Sequence, residues 1–200
     1  MSGHACIQSA KNTLRKSIKS KLGLLEEKDK LLQSENVFKK LQQLPVYKNS
    51  KRVSIYLSTS NEIDTEPIIQ DMFKNNKKCF VPRYEGDDMK MLALHSMEDY
   101  NTLPLTKWNI KQPESAVGRE NALETGGVDL VIVPGVAFTS SGSRLGHGKG
   151  YYDTFLSSLK PRAKTVALAF KEQILDEIPC HDHDVQIDQV LYSDSDGRTA

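Results

Sequence analysis

The chain is poor in the features that mark exported or membrane-embedded proteins. Its three cysteines are far apart and form no C-x-x-C pair, so the sequence predicts neither a disulfide framework nor a thiolate zinc site. No apolar run approaches the roughly 20 residues that a membrane-spanning helix needs, and the first residues lack the apolar core of a secretory signal. We therefore expect a cytoplasmic protein with free thiols.

An excess of charge of one sign is also missing. The 27 Lys and Arg residues nearly balance the 26 Asp and Glu residues, which leaves a formal net charge of +1 at pH 7. Such a chain has no strong positive potential over its surface that would attract nucleic acid or an anionic membrane. An anionic ligand must therefore be bound by a local group of basic residues. We expect small-molecule partners, no nucleic acid, no membrane, and a monomer. The 200 residues fit a single domain.

Helical and strand patterns alternate along the chain. Helical periodicity predicts helices over residues 7–25 and 31–44. Two more helices are predicted, one after an N-cap at Thr65 and one after the glycines near residue 150. Strand patterns are found at residues 53–58, 78–82, 89–95, 128–134, 165–170 and near 185–192. The alternation predicts an α/β domain with a largely parallel sheet and a disordered tail over about 193–200.

The most informative segment is residues 144–153, which read RLGHGKGYYD. Its three glycines leave backbone amides uncovered, and Arg144 and Lys149 add positive charge. Because it lies between a predicted buried strand and a predicted helix, unpaired N–H groups and the positive end of the helix dipole face the loop. The segment predicts a phosphate-binding loop.

Two common phosphate motifs do not describe this loop. A P-loop needs Ser or Thr after its lysine, but Gly150 follows Lys149. The dinucleotide fingerprint G-x-G-x-x-G fails because residue 151 is Tyr. A flexible turn with solvated cations remains the alternative interpretation.

Polar and aromatic residues follow several predicted strands, at the sheet edge where α/β proteins bind ligands. Ser58–Glu62 follow the first strand and Arg83–Tyr84 the second. Polar loops are also common after strands that bind nothing. In the His181–Asp184 tract, alternate side chains diverge, so we expect no zinc. Asp153 and Asp184 suit Mg²⁺, although each is equally explained as a cap or a solvated charge.

Together these segments resemble the 5-formyltetrahydrofolate cyclo-ligases, also called methenyltetrahydrofolate synthetases. The resemblance extends from Ser9 to Tyr192, and its most specific part is residues 144–153. It implies a single-domain, three-layer α/β/α fold with a largely parallel sheet. It also implies the ATP- and Mg²⁺-dependent conversion of 5-formyltetrahydrofolate to 5,10-methenyltetrahydrofolate, with release of ADP and phosphate.

The resemblance also implies roles for individual residues. ATP is expected at Lys11, Arg15, Arg144, Leu145, Gly146, His147, Gly148, Lys149, Gly150, Tyr151 and Tyr152. The folate is expected at Leu57, Glu62, Tyr84, Trp108 and residues 147–151, and magnesium at Asp153 and Asp184. The expected catalytic residues are Lys149 and Arg144, which neutralise phosphate charge, and Glu62, which binds the pterin or accepts the N10 proton.

Two positions depart from the family pattern. His147 stands where close relatives often have Arg, and Thr139 stands where many have Asp. Because His147 occupies a variable position of the motif, we expect altered affinity rather than lost activity. A small-molecule kinase, a noncatalytic nucleotide- or RNA-binding protein and a folate-storage protein remain alternative functions.

Overall fold

A computed structural model describes residues 3–159, 162–180 and 184–194. The α-helices are α1 Gly3–Gly23, α2 Glu27–Gln43, α3 Pro45–Asn49, α4 Glu66–Lys74, α5 Met97–Thr102 and α6 Tyr151–Ser158. The strands are β1 Arg52–Ser54, β2 Lys78–Glu85, β3 Asp88–Leu94, β4 Leu130–Val133, β5 Ala137–Phe138, β6 Arg144–Leu145, β7 Lys164–Ala169 and β8 Gln189–Tyr192. Two short 3-10 turns cover Ala122–Glu124 and Lys171–Gln173.

Six strands form the central sheet in the order β3-β2-β1-β4-β7-β8. All neighbouring strands are parallel except β3, which pairs with β2 as an antiparallel hairpin. In this register Val53 of β1 lies between Cys79 and Leu130. The predicted α/β fold with a largely parallel sheet is confirmed.

Burial explains why the middle strands read as continuous apolar runs. All four residues of β4 are buried, as expected for a central parallel strand covered on both faces. The helices contribute apolar stripes to the same core. Helix α1 buries Ile18 and Leu22, and α4 buries Ile68 and Met72. No helix in the described ranges is long and apolar enough to span a bilayer.

The segment after β1 differs from the strand predicted over residues 53–58. Pairing with both neighbours ends at Ser54, and Ile55 adds one further bond from its N–H to the carbonyl of Phe80 at 2.9 Å. Burial continues without a break from Val53 through Leu57 because the chain still passes over the core, so the apolar pattern alone overestimates the length of the strand. Residues 56–62 are thereby released to form a loop at the carboxyl edge.

Thr65 occupies the position before α4, but its side chain does not cap the helix as predicted. Its hydroxyl donates to the carbonyl of Tyr56 at 2.9 Å and accepts from the N–H of Ser58 at 3.2 Å. The side chain therefore fastens the β1–α4 loop rather than the helix end.

Other boundaries shift for local reasons. Helix α1 ends at Gly23, two residues before the predicted end, and the final strand begins at Gln189 rather than near residue 185. Of the predicted tail, Ser193 is buried and bonded to Asn36, and Asp194 pairs with Lys40 of α2. Residues 195–200, like the predicted His181–His183 tract, lie outside the described ranges.

Candidate active site

The candidate site lies at the carboxyl edge of the parallel strands, where three segments meet. These are the β1–α4 loop, the glycine loop between β6 and α6, and the first half of α1. We call residues 146–150 the glycine loop. Its conformation depends on glycine: Gly148 has φ +104° and Gly150 has φ +72°, values that side chains with a Cβ rarely adopt.

Gly150 directly precedes α6, so the first turn of that helix opens toward the loop. The first helical bond joins the N–H of Thr154 to the carbonyl of Gly150 at 3.0 Å. Gly150 has no side chain that could cap the helix. The N–H groups of the first turn of α6 are therefore directed at the glycine loop. The positive end of the α6 dipole is therefore located where an anion is expected.

Helix α1 brings two cations to this loop from the far end of the chain. The Nε of Arg15 donates to the carbonyl of Gly146 at 2.8 Å, and its guanidinium lies beside Gly148. The Nζ of Lys11 pairs with Oδ2 of Asp184 at 2.5 Å, and the Lys11 side chain is only 7% exposed. Burial lowers the pKa of Arg15, and the charge of Asp184 opposes that shift.

Arg144 forms the floor of the same region. Its Nη2 donates to Oδ1 of Asp153 at 2.7 Å, and its Nη1 donates to the carbonyl of Pro134 at 3.2 Å. The Arg144 Nε is buried and has no hydrogen-bond partner among the described residues. A cavity of about 170 Å³ borders Arg144 and Asp184. An anion with several acceptor oxygens matches this unsatisfied donor.

The carboxylate of Asp153 contacts the backbone of the segment that carries Asp184, the other residue predicted for magnesium. Oδ1 of Asp153 is 3.4 Å from the backbone N–H of Val185, the residue that follows Asp184. No group of three or more His, Cys, Asp or Glu side chains suited to a metal occurs in the described ranges. Two carboxylates without further protein ligands fit Mg²⁺ that shares its remaining positions with water and phosphates, and do not fit a metal caged by protein alone.

Glu62 lies on the opposite side of the glycine loop. Its Oε2 accepts from the N–H and hydroxyl of Thr59 at 2.9 and 2.8 Å, which fixes the carboxylate. Its Oε1 is 3.6 Å from Nε2 of His147 in the glycine loop. The Glu62 side chain is 13% exposed. Thr59 therefore holds Oε2, and Oε1 faces His147 of the glycine loop. Leu57, predicted to bind the folate, is buried at the start of this segment.

Three tyrosines lie within electrostatic range of the Glu62 carboxylate. Burial raises the pKa of Tyr84, and the negative charge of Glu62 raises it further. Burial likewise raises the pKa of Tyr56 and of Tyr152, with Glu62 again contributing. The rings of Tyr84 and Tyr151 lie 5.0 Å apart between centroids. Tyr56 and Tyr152 are buried in the core, whereas Tyr84 and Tyr151 are half-buried and offer apolar ring faces suited to a flat heterocycle.

Comparisons with known proteins identify the family. A sequence profile of the 5-formyltetrahydrofolate cyclo-ligase family matches residues 7–193. The chain is 47% identical to mouse 5-formyltetrahydrofolate cyclo-ligase, over 94% of this chain and 96% of that protein. It is 38% identical to a probable 5-formyltetrahydrofolate cyclo-ligase of Caenorhabditis elegans, over 94% and 95% of the two chains.

The chain belongs to the 5-formyltetrahydrofolate cyclo-ligase family. A solved structure also matches: the 5,10-methenyltetrahydrofolate synthetase of Aquifex aeolicus has a TM-score of 0.76 and 32% identity, over 90% of this chain and 88% of that one. Membership in the family confirms the predicted enzyme class, a ligase.

Within this family member, the predicted site residues fall into two groups. Lys11, Arg15, Arg144 and the glycine loop are brought together although 131 positions separate Arg15 from Gly146. Lys149, by contrast, points outward: its side chain is 69% exposed and its Nζ is 4.0 Å from Oδ1 of Asp87. An exposed ammonium at the rim of the loop is free to meet a charged ligand.

Trp108, also predicted to bind the folate, is 68% exposed. The ammonium of Lys107 lies over its ring, 4.5 Å from the centroid. Its loop is nevertheless attached to the site, because the Gln112 side chain exchanges two hydrogen bonds with the backbone of Tyr84, at 3.0 and 3.2 Å. The loop that carries Trp108 is thus tethered to Tyr84 through Gln112, while Trp108 itself lies largely in solvent.

The sequence pattern placed Thr59 and Arg83 at the sheet edge but did not predict the hydrogen bonds through which they position the site. Thr59 orients Glu62, and Arg83 holds the Trp108 loop by donating to the carbonyls of Pro113 and Glu114 at 2.7 and 2.5 Å. Thr139, a departure from the family pattern, closes the turn before β6 by accepting from the N–H of Ser143 at 3.0 Å. A hydroxyl suffices for that acceptor role, which explains why Thr is compatible with this fold.

Proposed function

We propose that this protein converts 5-formyltetrahydrofolate to 5,10-methenyltetrahydrofolate with consumption of ATP and release of ADP and phosphate. The observation that carries the proposal is the shared position of the glycine loop. Arg15 and Arg144 lie against Gly146 of the loop, Lys11 pairs with Asp184 at the cavity that Arg144 borders, and His147 of the same loop lies 3.6 Å from Glu62. One loop thus borders an anion site and a site for a polar heterocycle.

The reaction requires activation of a poor electrophile. In an N-formyl group, nitrogen donates electrons into the carbonyl, so the carbon resists attack and the oxygen is a poor leaving group. Transfer of the γ-phosphoryl group to the formyl oxygen gives an iminium phosphate and ADP. The N10 amine then attacks the formyl carbon, loses its proton, and expels phosphate to leave the methenyl bridge.

The side chains act mainly by charge and position. The cations of α1 and Arg144, together with the amides of the glycine loop, hold the phosphates in line with the acceptor oxygen. Lys149 extends from the rim and neutralises charge that develops during transfer. Asp153 and Asp184 would hold magnesium, which would supply further positive charge for the phosphates. No protein nucleophile takes part.

Glu62 acts on the folate. With Oε2 fixed by Thr59, its Oε1 is positioned to accept from the donor edge of the pterin or to take the N10 proton. The tyrosine rings supply apolar faces for the same heterocycle.

One assay tests this function and separates it from its alternatives. Purified protein is mixed with 5-formyltetrahydrofolate and Mg²⁺, with and without ATP, and methenyltetrahydrofolate is followed by absorbance while ADP is measured separately. The proposal requires equal amounts of methenyltetrahydrofolate and ADP, and neither without ATP. ADP with a persistent phosphorylated product would identify a kinase, whereas folate binding without turnover would identify a binding protein.

A further inference from the structure

Helix α2 carries a polar face that has no part in the proposed reaction. Lys30, Gln33 and Ser34 are spaced three and four positions apart, so they lie on one side of the helix. Gln33 and Ser34 are buried, and Lys30 is half-buried. Buried polar side chains are costly unless they are hydrogen-bonded. The partners of these three side chains therefore indicate what the face does.

Ser34 and Lys30 both bond to the backbone of the β1–α4 loop. The Oγ of Ser34 accepts from the N–H of Asp64 at 3.1 Å. The Nζ of Lys30 donates to the carbonyl of Ser60 at 2.9 Å. Ser60 and Asp64 lie two positions before and two positions after Glu62. Helix α2 therefore holds the loop on both sides of the Glu62 carboxylate.

A cleft of about 200 Å³ separates α2 from this loop. Its lining includes Lys30 and Ser34 of the helix and Thr59, Glu62 and Asp64 of the loop. Across a cleft, side chains lack the close contacts that fix distances in a packed core. The two hydrogen bonds from α2 are therefore expected to set the distance between the helix and the loop.

Gln33 bonds to a different loop and provides a comparison within the same helix face. Its Oε1 accepts from the N–H of Lys171 at 2.8 Å, and its Nε2 donates to Oε2 of Glu172 at 3.1 Å. Both partners lie in the 3-10 turn that follows β7. One face of α2 thus holds two loops at the carboxyl edge of the sheet, and Glu62 belongs to the loop held by Ser34 and Lys30.

We infer that Ser34 and Lys30 are positioning residues that set the folate affinity of the enzyme through Glu62. This inference rests on the proposed function, in which Glu62 binds the folate. Thr59 fixes Oε2 of the carboxylate within the loop, and α2 fixes the loop itself. Groups that bind a substrate must be held to within about 0.5 Å, so a small shift of the loop would move Oε1 away from its folate partner.

Steady-state kinetics of single variants test the inference. Ser34→Ala removes the acceptor for Asp64, and Lys30→Met removes the donor to Ser60 while keeping most of the side chain. We expect each variant to lower kcat/KM for 5-formyltetrahydrofolate about five- to tenfold, with the KM for ATP within about twofold of wild type. Ser34→Thr keeps the hydroxyl and has room for its methyl group beside the cleft, so it should restore most of the loss.

Two controls separate positioning from general support of the fold. Gln33→Ala removes a buried contact from the same helix face to the other loop, so it should lower the melting temperature without raising the KM for folate. Lys28→Met, at an exposed position of α2, is the control for Lys30→Met and should change neither value. A folate KM that rises as much in Gln33→Ala as in Ser34→Ala would overturn the inference.

Combination with Glu62→Ala shows whether the effect passes through the carboxylate. Folate affinity is measured by calorimetric titration, which does not depend on turnover. In the Glu62→Ala background, Ser34→Ala or Lys30→Met should lower folate affinity by no more than a further twofold or about that, because the group that they position is already absent. A further loss as large as in the wild-type background would show that they act independently of Glu62, and would overturn the inference.

Thermal melts identify the folded variants. The Lys30 contact lies on the exposed side of the cleft, so Lys30→Met keeps the test decisive if Ser34→Ala does not fold. Absence of methenyltetrahydrofolate formation by the wild type would overturn the proposed function. An active wild type whose folded Ser34→Ala and Lys30→Met variants keep the wild-type KM for folate would overturn the positioning role alone.

Discussion

Lys149→Ala separates a role in phosphate binding from a role in folding. The side chain is 69% exposed and lies 4.0 Å from Asp87, which is itself fully exposed. A surface pair of this kind contributes little, so the free energy of unfolding should change by no more than about 0.5 kcal/mol. A charge-assisted contact to phosphate contributes roughly 1.5–3 kcal/mol, and more if it strengthens in the transition state.

This difference predicts a fall in kcat/KM of at least about tenfold to a hundredfold with an almost unchanged melt. The assay follows methenyltetrahydrofolate formation at limiting ATP. Lys51→Ala is the matched control, because Lys51 is an exposed loop lysine just before β1, at the opposite edge of the sheet. A kcat/KM for Lys149→Ala within about twofold of the control would refute the assignment of Lys149 to phosphate.

Four further substitutions test the other parts of the molecule. Glu62→Gln should reduce folate affinity or turnover about tenfold and leave ATP affinity near wild type, as measured by titration with each ligand; equal loss of ATP affinity would refute its placement. Asp153→Asn and Asp184→Asn should each raise the Mg²⁺ concentration needed for half-maximal activity, and excess Mg²⁺ should restore part of the activity. If the Mg²⁺ dependence is unchanged in both variants, the two carboxylates have only a structural role. Hydrogen bonding by Thr125, aided by Arg52 and Lys78, lowers the pKa of Glu120 from 4.5 to about 2. Since a lowered carboxyl pKa stabilises the fold above the unfolded value, this contribution is complete above about pH 4.5 and is lost as the pH falls toward about 2. In urea unfolding, Glu120→Gln should therefore be less stable than the wild type above about pH 4.5, and the difference in free energy of unfolding should vanish near pH 2. A difference that does not change with pH would contradict this prediction.

The parts of the fold that followed from the sequence are those governed by local pattern. The apolar run at 130–133 identified a central strand because burial on both faces demands it. Glycines at 148 and 150 identified the turn because both adopt positive φ. The spacing of Lys11 and Arg15 placed both on one side of α1, where the structure has them near the glycine loop and Asp184.

Features set by distant contacts did not follow from the sequence. Alternation at residues 53–58 could not reveal that pairing ends after Ser54, since that depends on where neighbouring strands end. The two-residue strands β5 and β6 are too short for a periodic signal. The pairing of Lys11 with Asp184 spans 173 positions, and only the folded chain brings these side chains together.

The proposed phosphorylation of the formyl oxygen is tested most directly by the fate of that oxygen. 5-Formyltetrahydrofolate labelled with ¹⁸O at the formyl group is converted with unlabelled ATP, and the released phosphate is analysed by mass spectrometry. Direct transfer predicts one labelled oxygen in each phosphate, at a yield equal to that of methenyltetrahydrofolate. Unlabelled phosphate formed alongside methenyltetrahydrofolate would show that water cleaves ATP, and would contradict the proposed intermediate.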